Sequence, residues 1–141
     1  LTKKLIPAFC LLFAACAIQA QSIVGTWKTI DDETQKAKSH VEIYKSGSSY
    51  FGKVSKLLAD ASTSKCDKCT GDRYNKPIQG MVILENMKHD DGELADGKIL
   101  DPKNGKWYTC KMWLKEDNPN VLVVRGYVFG FYRTQYWYRV K

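Results

Sequence analysis

Turn-forming residues recur along this chain at intervals too short for long helices, and that spacing constrains the fold more than any other feature. Ser46-Gly47-Ser48, Asp90-Asp91-Gly92, Asn104-Gly105 and Asp117-Asn118-Pro119-Asn120 punctuate runs rich in aromatic and β-branched residues. Short strands between closely spaced turns build sandwiches and barrels rather than βαβ units. Strands are expected over 22–30, around Val41 and Ile43, over 49–58, 80–84, 98–100, 107–115, 121–128 and 132–140. Asn86–Leu94, or the segment before Cys66, has room for one helical turn. The expectation is an all-β, small antiparallel up-and-down β-barrel, because closing the sheet removes the edges that so many short strands would expose.

Asn104-Gly105 is the strongest hairpin signal, since both residues tolerate positive φ in a type I′ turn. The strand after it alternates. Tyr108, Cys110, Met112 and Leu114 share one face, and Trp107, Thr109, Lys111, Trp113 and Lys115 share the other. The first set makes the better inward face. On the last strand, Arg133, Gln135, Trp137 and Arg139 fall together, opposite Tyr132, Thr134, Tyr136 and Tyr138. If the Arg/Gln/Trp face points inward, it sets polar donors inside an apolar barrel, which suits a ligand with a greasy body and an anionic or carbonyl head.

Residues 1–20 have the parts of a secretory signal peptide: Lys3 and Lys4, an uncharged apolar run over 5–18, and Ala20 before polar Gln21. The run is shorter than the roughly 20 apolar residues a transmembrane helix needs. The expected product is an exported protein, periplasmic or secreted, with one domain over 21–141. A second reading takes Phe13-Ala14-Ala15-Cys16 as a lipoprotein signal that anchors the chain through Cys16, close against the folded domain. Without Lys3 and Lys4 the net charge falls from +7 to +5, and the lysines are scattered, so nucleic acid is a poor partner.

Cleavage leaves Cys66, Cys69 and Cys110. Cys66-Asp67-Lys68-Cys69 admits a local disulfide, half of a metal site or a redox pair. A redox pair wants a helix N-terminus in a βαβ unit, and zinc wants about four ligands; the stretch over 62–76 is turn-like and holds no second Cys pair. A loop-stapling disulfide is therefore expected, with Cys110 a buried free thiol and no metal. There is no Gly-x-Ser-x-Gly, no His-Glu-x-x-His and no phosphate-cradling Gly loop, so neither an enzyme nor a cofactor is expected. His40 and His89 read as surface residues, and Asp101-Pro102 as turn chemistry.

Four segments in order resemble a known family: Gly25-Thr26-Trp27, then Gly97 to Tyr108 (GKILDPKNGKWY), then Leu122 to Tyr127 (LVVRGY), and Arg133 to Arg139 (RTQYWYR). They are similar to the bacterial family catalogued as domain of unknown function 2147. The resemblance implies a small exported barrel of the lipocalin-like (calycin) type, in which Trp27 opens the first strand and Arg139, on the closing strand, stacks on it. The functional expectation is a non-enzymatic barrel holding a small amphipathic or apolar ligand against Arg133, Gln135, Trp137, Tyr108 and Met112. The alternative is an interaction module that docks an envelope protein or polymer on an outer face bearing Trp107, Trp113 and Tyr127.

Overall fold

The computed structural model describes residues 2–4, 22–59, 61 and 63–141. The apolar run of the expected leader, the Ala20–Gln21 junction and Cys16 lie outside the described residues. Eight strands follow one another around a closed antiparallel barrel: β1 (Gly25–Ile30), β2 (Ala37–Ser46), β3 (Ser49–Leu57), β4 (Val82–Asp90), β5 (Glu93–Asp101), β6 (Lys106–Lys115), β7 (Asn118–Val128) and β8 (Phe131–Arg139). Each strand pairs with its sequence neighbours, and β1 pairs with β8. Among the described residues a single short 3-10 turn, Gly71–Arg73, lies in the β3–β4 connection.

Several turns follow from residue chemistry. Asp91-Gly92 and Phe129-Gly130 each place two residues at positive φ, as a type I′ turn requires. Gly47-Ser48 places only its first residue there. The Asn104-Gly105 expectation needs correction: Asp101 pairs with Lys106, so the loop has four residues, and only Gly105 is left-handed, at φ 72°. Asp101 organises it, its Oδ1 accepting from the Lys103 amide at 2.9 Å and its carbonyl from the Gly105 amide at 2.8 Å. A second correction concerns 117–120. The turn is Glu116-Asp117, and Pro119 lies within β7, where the register shift between Leu114 and Lys115 tolerates a residue without an amide proton. Asn86–Asp90 is strand rather than a helical turn. Asn86 (φ 55°) and Asp96 (φ 60°) sit within strands near register shifts. A bulge bends the strand at such points.

The two ends of the barrel differ. At one end, Trp27, Ile43, Met87, Leu94, Met112 and Leu122 are buried in a filled core. Toward the other end the interior is hollow. The β3–β4 connection folds over part of that end. There Cys66 and Cys69 form a disulfide with Cα atoms 5.3 Å apart, Lys65 bridges Pro77, and Asn75 donates its amide to the Cys66 carbonyl at 2.7 Å. Both half-cystines are buried. The loop backbone packs directly on the β5–β6 turn: a Cβ on Gly105 would collide with the carbonyl of Lys68.

The β1–β8 seam is short. It holds two rungs, Trp27↔Arg139 and Lys28↔Tyr138, against eight along β7–β8. Toward the hollow end β1 and β8 are joined by side chains: Asp32, just past β1, accepts from Arg133 Nε at 3.0 Å, Arg133 Nη2 at 2.5 Å and Gln135 Nε2 at 3.2 Å.

Candidate ligand site

Inward positions on β7 and β8 build the hollow end. On β7 these are Val124, Gly126 and Val128; on β8 they are Arg133, Gln135 and Trp137. Gly126 is the position that leaves room. It adds no side chain, and a Cβ there would meet only ordinary contacts, the nearest being Tyr108 Cβ at 3.4 Å. The result is a cavity of about 350 Å³. Its wall is mostly aliphatic and aromatic, from Val54, Leu57, Ile78, Ile83, Ile99 and Tyr108 among others. Trp137, almost fully buried, marks the floor where the cavity meets the filled core. Ala61, Thr63 and Ile78 bring the disulfide-stapled connection into the wall.

Of the residues expected to hold a ligand, Arg133, Gln135, Trp137 and Tyr108 line this cavity. Met112 does not. It points inward but is fully buried in the filled half, two inward positions beyond Tyr108 along β6. Tyr108 is held in place by Asn104, whose side-chain amide donates to its hydroxyl at 2.8 Å. Cys110, inward and buried between Tyr108 and Met112 along β6, is a free thiol that burial pushes up to about 12. Cys66 and Cys69 are bonded to each other.

The inward donors are already occupied. Trp137 Nε1 donates to Gln135 Oε1 at 3.0 Å, Gln135 Nε2 donates to Asp32, and Arg133 grips the same carboxylate with two nitrogens. Burial alone would raise the Asp32 carboxyl; the bonds from Arg133 and Gln135 outweigh it and hold the group below its usual range. Beside it, Asp31 is only 6% exposed. Its Oδ2 pairs with Lys38 at 2.7 Å, and its Oδ1 accepts from the amides of Glu33 and Thr34 at 2.9 and 2.8 Å. Burial again acts to raise it, and the Lys38 bond with the two amides holds it far below the ordinary carboxylate range. Lys103 pairs with Glu33 at 3.0 Å and lies 3.8 Å from Asp31. The mouth is thus a collar in which each lining cation has a carboxylate partner.

Asp31, Asp32, Lys38 and Lys103 did not stand out in the sequence. Asp31 and Asp32 look like an ordinary loop pair, and Asp32 meets Arg133 across 101 residues of chain. Nothing local signals that meeting.

The outer aromatic face also differs from expectation. Trp107 and Trp113 are half-buried under cations: Arg73 and Lys98 stand 4.9 and 4.6 Å from the Trp107 ring centre, and Arg125 stands 5.1 Å from that of Trp113. Tyr127 is half-buried too, against Tyr132. The exposed large rings lie elsewhere, at Tyr74, Phe129, Phe131, Tyr132, Tyr136 and Tyr138.

Residues 25–139 match a bacterial family described as "Uncharacterized protein conserved in bacteria (DUF2147)". Among solved structures, protein HP1028 from Helicobacter pylori, described as belonging to the lipocalin family, superposes with a TM-score of 0.73 at 16% identity, over 86% of this chain and 85% of that one. At that identity the likeness concerns the fold. No curated protein sequence matches the chain.

Proposed function

The chain belongs to the DUF2147 family, and from that premise and the barrel's interior we propose that it binds a small, largely apolar molecule in its cavity without transforming it. The observation that carries this reading is the unfilled apolar end of the barrel. At about 350 Å³ it falls within the size range of small-molecule sites. Apolar area removed from water there contributes roughly 25 cal/mol per Å². The collar refines the head group. Because Arg133, Lys38 and Lys103 already face carboxylates, a bare anion would have to displace Asp32, Asp31 or Glu33. A neutral hydroxyl or carbonyl head, exchanging hydrogen bonds with Gln135 and Tyr108, fits the collar with less rearrangement.

Binding is preferred to catalysis on the state of the collar. A general acid or base works best with a pKa near the operating pH. Asp31 and Asp32 are both held on the far side of their usual range by fixed partners. The Cys66–Cys69 disulfide accords with a protein working outside the reducing cytoplasm, and we place it there, as a single domain over 21–141 released from a leader over 1–20.

The test is saturation of the cavity by the neutral apolar fluorophore N-phenyl-1-naphthylamine. The wild type should bind one equivalent, and Gly126→Leu, which projects a side chain into the cavity without backbone strain, should weaken binding tenfold or more while thermal unfolding stays cooperative. Absence of saturable binding, or equal binding by the variant, overturns the reading. If the wild type binds and the variant does not, native mass spectrometry of the exported protein would identify the resident molecule.

A further inference from the structure

Two turns of this barrel share one backbone shape and differ in what they carry. At β4–β5 the central residues are Asp91 (φ 47°) and Gly92 (φ 81°); at β7–β8 they are Phe129 (φ 45°) and Gly130 (φ 81°). Asp is a natural occupant of the first position, because its short polar side chain tolerates the left-handed region; a bulky ring there is a strained choice. Phe129 is also 97% exposed, so no packing within the protein offsets that strain. Phe131 is 77% exposed, and Val128 and Tyr132 flank the pair, also exposed. An aromatic tip held strained in water points to a purpose outside the fold.

We propose that the β7–β8 tip, Val128–Tyr132, seats the mouth of the barrel on the surface of an anionic phospholipid membrane. Three observations select this occupant. First, the five residues Val128–Tyr132 are far fewer than the roughly 20–30 a side of a stable protein interface, whereas an interfacial anchor needs only a few apolar side chains beside cations. Second, a cation is at a suitable depth. Arg125 lies on the same outer face as Tyr132, its guanidinium 4.3 Å from that ring, roughly 13 Å along the strand from Phe129. It donates to Thr134 Oγ1 at 2.9 Å, and among the described residues no carboxylate pairs with it. With the rings at the acyl boundary and Tyr132 at head-group level, Arg125 reaches the phosphates. The formal net charge of +5 that remains without Lys3 and Lys4 adds a field of the same sign. Third, Val128, Phe131 and Tyr132 also line the cavity, so docking the tip lays the entrance on the bilayer, where apolar molecules reside. In this last respect the inference rests on the proposed ligand-binding role.

The experiment is flotation of the purified protein with vesicles of phosphatidylglycerol and phosphatidylcholine, and with vesicles of phosphatidylcholine alone. The wild type should float with the anionic vesicles, more weakly with the neutral ones, and less at high salt. Phe129→Asn, a residue the left-handed position favours, should keep the fold and lower the bound fraction tenfold or more. Phe129→Trp should retain binding, with its added emission shifting to the blue on vesicles and quenched by brominated phosphatidylglycerol. Failure of the wild type to float, undiminished binding by Phe129→Asn, unshifted emission from Phe129→Trp, or a lipid-free dimer that Phe129→Asn dissolves would each overturn the proposal. Fluorophore binding separates the two readings: a protein that floats but takes no N-phenyl-1-naphthylamine keeps its membrane tip and loses its cavity role.

Discussion

The guanidinium carbon of Arg139 lies 4.3 Å from the centre of the Trp27 ring, joining the last strand of the barrel to the first. The two residues are also register partners. Trp27 is fully buried, and its indole N–H donates to the Ile23 carbonyl at 2.8 Å. Arg139 Nη2 donates to the carbonyls of Ser22 and Pro119 at 2.9 and 3.2 Å, so one side chain ties the segment before β1, the start of β7 and the end of β8. Its Nε is buried and makes no hydrogen bond.

Truncating this closure should be severe. Trp27→Ala is expected to cost about 3–5 kcal/mol, as a large buried ring replaced by a void. Arg139→Lys should cost about 1 kcal/mol, since an ammonium keeps the charge but loses the planar stacking surface and one carbonyl contact. Urea midpoints of the two variants measure both.

The collar should give the protein an acid limb. The carboxyls of Asp31 and Asp32 are held below the ordinary aspartate range in the folded state, so the unfolded chain takes up protons first as pH falls. Their contribution is full above about pH 5 and declines as acid drives the pH down through the depressed folded values. Asp31→Asn should therefore lose about 1–3 kcal/mol at pH 7, and the gap to wild type should narrow by pH 3. Denaturation at the two pH values decides it, and a constant gap would show that the charge is not what matters.

Gly105 carries two separable demands. It sits at φ 72°, and a Cβ there would strike the Lys68 carbonyl, whereas Gly130, at φ 81°, has open space around it. Gly130→Ala should cost only the backbone penalty, about 1–2 kcal/mol. Gly105→Ala should cost clearly more and loosen the Cys66–Cys69 connection from the barrel. Limited proteolysis between residues 58 and 78 reports that loosening.

Cys110 should resist thiol reagents. Burial pushes its pKa up to about 12, leaving almost no thiolate at pH 8. Protein lacking residues 1–20 should react with dithionitrobenzoate only after denaturation, and then with one equivalent per chain. Rapid reaction of the folded protein would contradict the burial of Cys110, and three equivalents without reductant the pairing of Cys66 with Cys69.

The barrel and its closure were legible because their signals are local or positional. Period-two alternation put Cys110 and Met112 inward on β6, and grouped Arg133, Gln135 and Trp137 on one face of β8 without deciding which face points inward. Turn residues marked most strand ends. The errors came where polar residues do something other than turn the chain: Asn86 and Asp96 bend strands, and Pro119 occupies a register shift. Depth along a strand was also invisible. Alternation assigns a face, not a height, so Met112 looked as available to a ligand as Tyr108. The pairing of Arg133 and Gln135 with Asp32 arises only when β8 returns beside the end of β1, and no spacing in the chain encodes it.

The two-rung seam between β1 and β8 has a kinetic consequence. Closing it brings together residues more than a hundred positions apart, so its loop entropy is the largest in the molecule and its ladder the shortest. Such a joint forms last in folding and parts first in native fluctuations. The amide hydrogen of Ile30, which alternation from Thr26 turns toward β8, should exchange far faster than those of β6 and β7. Breathing there would widen the hollow end sideways without unfolding the filled half, letting a guest bulkier than the resting aperture enter and leave on a timescale set by the Asp32–Arg133 clasp.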